Sequence, residues 1–100
     1  GLVVCQNDAM ASGARAALAK QAADSGHREL ARTPLIGCDG MEQEGKAMVA
    51  RGELAATVVM PPTTPAGLDI LRRYWDAESR SGTVLLEAPS HPALDALGLP

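Results

Sequence analysis

Val3-Val4-Cys5-Gln6-Asn7-Asp8-Ala9-Met10-Ala11 reads as a short apolar strand that stops at a polar edge and turns at once into a helix. Unbroken apolar residues in so short a strand imply cover on both faces, as in a parallel sheet. Asn7 or Asp8 supplies the side-chain oxygen that caps the first helical N–H groups. The same build recurs at Pro34-Leu35-Ile36-Gly37-Cys38-Asp39-Gly40 and again from Leu54 to Pro62. Three strands that end on one edge, each followed by a helix, form the ligand crevice of an open parallel sheet.

The first strand spans Leu2 to Gln6, and the helix after it runs to about Ser25. Met10, Ala14, Ala17, Leu18 and Ala22 share one stripe at helical spacing, and Gly26 stands where a left-handed C-terminal residue belongs. His27 to Thr33 is a charged connection. Pro34 to Cys38 forms the second strand. Asp39 then opens a shorter helix, and Glu42 three residues on completes a capping box. That helix ends at Gly52, after Arg51.

Leu54 to Met60 is the third strand, with β-branched Thr57, Val58 and Val59 at its centre. Pro61-Pro62 stops it. Thr64-Pro65 starts the last long helix as N-cap and first helical position, with Leu68, Leu71, Tyr74 and Trp75 as its apolar stripe and Ser81-Gly82 as its break. Thr83 to Leu86 forms a fourth strand, and the proline-punctuated tail holds one helical turn near Ala93 to Leu97. Every step between strands crosses through a helix, so the expectation is an all-parallel sheet with right-handed crossovers. The fold class is α/β, an open parallel sheet with flanking helices.

At 100 residues the chain builds one modest core. Hydrophobic residues make up 46% and charged ones 21%, the balance of a globular protein. A net charge of −3 gives no electrostatic reason to approach nucleic acid or an anionic membrane. Phenylalanine is absent and the aromatics are the neighbours Tyr74 and Trp75, so alanine and small aliphatics fill the core. The opening Gly1-Leu2-Val3-Val4 starts within a strand, and the chain is expected to be the later part of a longer protein. Cys5 and Cys38 read as two small buried hydrophobes in preference to a bridge.

No catalytic constellation emerges. Gly40-Met41-Glu42-Gln43-Glu44-Gly45-Lys46-Ala47 has P-loop spacing, but Ala47 replaces the magnesium-binding hydroxyl and Glu42 and Glu44 bring negative charge where polyphosphate would lie. A receiver-type phosphoacceptor at Asp39 needs an acidic cluster and a lysine at a neighbouring strand end, yet Lys20 and Lys46 both fall within helices. Ser90-His91 has no orienting acid. The chain reads as a binding protein and not an enzyme, without cofactor or metal. What remains is a polar rim of Asn7, Asp39 and the Met60-Pro61-Pro62 corner. Asn supplies donors and an acceptor and Asp accepts from several hydroxyls, which suits a neutral sugar or polyol. Taken singly, Asn7 and Asp39 are also ordinary helix caps.

Gln6-Asn7-Asp8-Ala9-Met10-Ala11-Ser12-Gly13-Ala14, Ile36-Gly37-Cys38-Asp39-Gly40 and Arg51-Gly52-Glu53-Leu54-Ala55-Ala56-Thr57-Val58 resemble, in that order, the carboxyl-terminal part of the class I periplasmic sugar-binding proteins. These are the ribose-binding-like solute receptors of ABC transporters. The resemblance covers roughly Leu2 to Leu86. It implies two hinged lobes with the ligand between them, a permease partner in the membrane and a periplasmic location. Asn7 and Asp39 match positions that hydrogen-bond the sugar. Met60 stands where a ribose binder carries a polar amide, which implies a deoxy, methylated or otherwise less polar ligand.

On this reading residues 1–62 belong to the carboxyl-terminal lobe, 63–82 to a crossover helix that packs on the other lobe, and 83–100 to a returning strand and tail. An isolated 100-residue piece is expected to self-associate through its unburied surfaces. The same lobe occurs in repressors of the lactose-repressor type and in membrane-tethered sensors. The Gly52-Glu53-Leu54-Ala55-Ala56-Thr57 run is more similar to the transport receptors, and nothing basic or helix-turn-helix-like is present.

Overall fold

The computed structural model describes residues 1–76 and 83–97. Strands β1 (Val3–Val4), β2 (Leu35–Asp39), β3 (Ala56–Val59) and β4 (Ser90–His91) form one sheet in that spatial order. β1, β2 and β3 are parallel, with Val4 beside Ile36 and Ile36 beside Ala56. Helix α1 (Asp8–Ser25) connects β1 to β2, α2 (Gly45–Ala50) connects β2 to β3, and α3 (Thr63–Trp75) follows β3. The architecture is an α/β, mostly parallel open sheet with flanking helices.

Two expectations about the sheet are corrected. Thr83 to Leu86 is not a strand; the fourth strand is Ser90–His91, and it runs antiparallel to β3. Val59 N–H donates to the Pro89 carbonyl at 2.7 Å, so the chain returns along β3 in the reverse direction. Among the described residues the two faces are covered unequally. Ala11 of α1, Met48 of α2, Leu35 of β2 and Leu54 form one buried cluster, with Val3, Cys5, Ala14, Leu18 and Val49 packed against it. Alternation along a strand turns Val4, Ile36, Cys38, Ala56 and Val58 to the opposite face, where Val4 is 71% exposed, Ile36, Cys38 and Val58 are half-buried and Ala56 is buried. Both crossover helices lie on the same face because the strands progress in one direction, β1 to β2 to β3. Cys5 and Cys38 are both free, and their places in the register put them on opposite faces.

Helix α1 has the expected ends. Asn7 is its N-cap, with Oδ1 accepting from Met10 N–H at 2.8 Å, and Gly26 is left-handed at φ 76°. Its buried stripe is rotated from the expected one: Asp8, Ala11 and Ala22 are buried, while Met10 and Ala17 are exposed. The cause is Asp8, a charged residue that points inward. Helix α2 begins at Gly45, not at Asp39, so no capping box forms between Asp39 and Glu42. Helix α3 begins at Thr63, not after Thr64, which places Pro65 within the first turn where no intrahelical N–H is needed. The charged connection contains a 3₁₀ turn at Arg28–Arg32, and the tail contains another at Leu94–Leu97. The Ser81-Gly82 helix break lies outside the described residues.

Arg15 closes the amino-terminal side of the sheet. Its Nε and Nη2 donate to the Glu53 carbonyl at 3.1 and 2.9 Å, and its Nη1 donates to the Ala31 carbonyl at 3.0 Å. At the opposite edge, glycine permits the close approach of α2 to α1. A Cβ on Gly45 would lie 2.6 Å from Asp8 Cγ, and one on Gly37 would lie 3.1 Å from it. Substituting Gly45→Ala, which no rotamer adjustment of the pinned Asp8 relieves, is expected to destabilise the chain by about 1–3 kcal/mol. Urea unfolding followed by circular dichroism reads this as a lower midpoint, and Gly13→Ala, which meets open space, serves as the control.

Candidate functional site

The carboxyl ends of β1, β2 and β3 lie side by side, so Asn7, Asp39 and Met60 share one edge of the sheet. Met60 N–H donates to the Asp39 carbonyl at 3.1 Å, which joins two of the three rim segments directly. Asp8 joins all three. Its Oδ2 accepts from Gly40 N–H at 2.8 Å, and its Oδ1 accepts from Thr57 Oγ1–H at 2.7 Å. Asp8 and Thr57 are 1% and 0% exposed, so both hydrogen bonds are shielded from water. The first turn of α1 also sets its positive dipole end against the Asp8 carboxylate.

Asn7 is half-buried and spends Oδ1 on the α1 cap, leaving its amide donors directed by a fixed backbone. Met60 is 49% exposed. Asp39 is exposed and adopts φ 106°, a conformation that residues other than glycine rarely take. Its carboxylate makes no hydrogen bond among the described residues. The cap role that the sequence offered for Asp39 is therefore removed, because α2 starts six residues later with Glu44 as its N-cap. Gly40 follows at φ 64° and packs so closely on β3 that a Cβ would meet Val59 Cα at 2.7 Å. The tight Asp39-Gly40 turn thus carries the Asp39 side chain outward over the rim while Gly40 N–H turns in to Asp8.

The charges around this edge are mostly paired. Lys46 Nζ donates to Glu42, and this hydrogen bond, aided by the lysine charge, lowers the Glu42 carboxyl below its ordinary range. At the base of the sheet Arg51 does the same to Glu53 and is itself raised in turn. Among the described residues no three His, Cys, Asp or Glu side chains gather as a metal site. The free polar groups on the rim are amide donors and a carboxylate, so the edge is suited to neutral groups rich in hydroxyls. An open recess of about 320 Å³ beside Arg28, Glu29 and Arg32 lies on the 3₁₀ turn that precedes β2, away from the rim.

Sequence reasoning missed Asp8. It stood next to Asn7 as an equal candidate for the cap, and helical spacing does not separate them, since at about 100° per residue both fall beside the Ala11, Leu18 and Ala22 face. Comparison with family models, with curated proteins and with solved structures returned no match to this chain.

Replacing Asp8 by Ala leaves Thr57 Oγ1–H and Gly40 N–H buried without acceptors, each a cost of about 1–3 kcal/mol. The Asp8→Ala chain is expected to lose roughly 2–4 kcal/mol of stability. In a double-mutant cycle with Thr57→Val, the second substitution is expected to cost markedly less in the Asp8→Ala background. Equal costs in both backgrounds would show that the Thr57 bond contributes nothing.

Proposed function

We propose that this chain is the ligand-binding segment of a two-lobed solute receptor that holds a neutral sugar or polyol and delivers it to an ABC-type importer in the periplasm. The observation that carries the reading is Asp39. Backbone strain of this kind costs on the order of 1–3 kcal/mol and persists where surrounding structure over-determines it, commonly at binding sites. The turn serves the chain by bringing Gly40 N–H to Asp8, but among the described residues the Asp39 side chain itself caps no helix and pairs with no neighbour. In this reading the carboxylate is available to a ligand on the same sheet edge as Asn7.

In this reading vicinal hydroxyls of the ligand donate to Asp39 and accept from Asn7, while Met60 lies against a less polar part of the same molecule. The second lobe supplies the opposite wall, and closure removes water from these hydrogen bonds, which strengthens each of them. The binding step is reversible and transfers no group. The Gly52-Glu53-Leu54-Ala55-Ala56-Thr57 run favours the transport receptor over the related repressor module.

Asp39→Gly separates a binding role from a structural one. Glycine accepts φ 106° without strain, so the variant is expected to melt at the same temperature or higher. Titration calorimetry against a panel of neutral pentoses, hexoses and polyols, on a protein in which this segment is joined to its opposing lobe, should show affinity falling roughly tenfold to a hundredfold, on the order of 2 kcal/mol. Unchanged affinity in Asp39→Gly for a sugar bound by the parent would sink the proposal.

A further inference from the structure

The peptide unit that joins Asp39 to Gly40 is held at both ends. Its carbonyl accepts from Met60 N–H at 3.1 Å, and its N–H donates to Asp8 Oδ2 at 2.8 Å. Gly40 is buried, whereas Asp39 is exposed and its carboxylate makes no hydrogen bond among the described residues. Asp39 is also the one aspartate of the chain that a glycine follows. With no Cβ on the next residue, nothing crowds the approach of that residue's amide nitrogen to the aspartate carboxyl carbon. The fold cannot do without this glycine, because its φ is 64° and a Cβ would lie 2.7 Å from Val59 Cα. A reactive pair is therefore built into the rim, and two hydrogen bonds fix it.

We infer that Asp39-Gly40 is a site of isoaspartate formation that the Asp8 hydrogen bond keeps closed. In the reaction the Gly40 nitrogen bonds to Asp39 Cγ and closes a succinimide ring. One carboxylate oxygen leaves as water, taking the Gly40 amide proton and one proton from solvent. Water then opens the ring. Cleavage at the side-chain carbonyl restores Asp39, and cleavage at the former main-chain carbonyl leaves an isoaspartyl link with the chain running through Cγ. No other reactant enters. Ring closure needs the peptide unit to rotate about the Asp39 Cα–C bond and its nitrogen to leave the amide plane. The Met60 and Asp8 hydrogen bonds both oppose that rotation, and the bond to Asp8 is shielded from water, which strengthens it. Reaction therefore waits for a local opening that frees Gly40 N–H. An isoaspartyl link adds one carbon to the main chain, which carries Gly40 N–H out of register with Asp8 and displaces the carboxylate on the rim. The inference rests on this turn and is independent of the sugar reading.

The test is made on the 100-residue chain. It is incubated warm at neutral pH in heavy-oxygen water, and tryptic peptides are mapped for label and for isoaspartate at Asp39. Exchange of the Gly40 amide is followed in parallel by nuclear magnetic resonance. The folded chain is expected to convert far more slowly than the same chain unfolded in urea. Asp8→Ala should speed conversion roughly tenfold to a hundredfold, as removal of a buried acceptor implies. Asp8→Asn keeps an oxygen for Gly40 N–H and an amide for Thr57 Oγ1, so it should stay near the parent rate. Thr57→Val weakens the chain yet spares the Gly40 bond, and it too should convert slowly. In the parent chain, urea below the unfolding transition should raise conversion and Gly40 exchange in step, a readout that holds even if Asp8→Ala does not fold. Conversion of the folded parent as fast as the unfolded chain, a folded Asp8→Ala at the parent rate, or Thr57→Val as fast as Asp8→Ala would overturn the inference. Conversion that rises with urea while Gly40 exchange stays flat would do the same.

Discussion

One buried carboxylate organises the carboxyl edge of the sheet. Asp8 sits at the first turn of α1 and reaches Gly40 N–H after β2 and the Thr57 hydroxyl on β3, so the three strand ends are drawn to one acceptor. A carboxylate taken from water is costly unless it is hydrogen-bonded, and the surrounding sequence is shaped by that demand. Gly37 and Gly45 keep their Cβ positions empty where Asp8 lies, and Thr57 places a hydroxyl in an otherwise apolar strand. The helix face turns to bring Asp8 inward while Ala14, Leu18 and Ala22 stay on it. The outward-facing Asn7 and Asp39 inherit their positions from this arrangement, each being the neighbour of a residue in it.

Periodicity and turn chemistry were enough to read the β1-α1-β2-α2-β3 order, the parallel pairing, the Asn7 cap and the left-handed Gly26. These are local properties of short stretches. The errors fall where a distant residue decides. Asp39 and Glu42 have the spacing of a capping box, but Asp39 is held at positive φ by the closeness of Gly40 to Val59, and α2 starts only at Gly45. Val84, Leu85 and Leu86 have the composition of a strand, yet the pairing with β3 goes to Ser90 and His91, two polar residues that no propensity favours. Of the rim, Asn7, Asp39 and Met60 were legible because strand ends are legible, whereas Asp8 was hidden by being a good cap as well.

The placement of both crossover helices on one face bears on how the edge is held. With α1 and α2 on the same face, the core is a single layer of small side chains in which Ala11, Leu35, Met48 and Leu54 do most of the packing. Full burial of a leucine contributes roughly 1.5–3 kcal/mol, so a cluster of this size leaves little reserve. The polar clasp at Asp8 is therefore a substantial share of what orders the strand ends, and the strained Asp39 backbone draws on that same small reserve.

Arg15 gives α1 a second fixed point. Seven residues, about 10 Å of helix, separate it from Asp8, and the two side chains grip opposite borders of the sheet, one by carbonyls and the other by donors. The helix consequently acts as a spacer of set length between the base of the strands and their tips. Sliding α1 lengthwise, or altering its length by one residue between these points, would swing one grip about 100° out of line. Lineages of this domain should accordingly accept insertions after Gly26 far more readily than anywhere between Asp8 and Arg15.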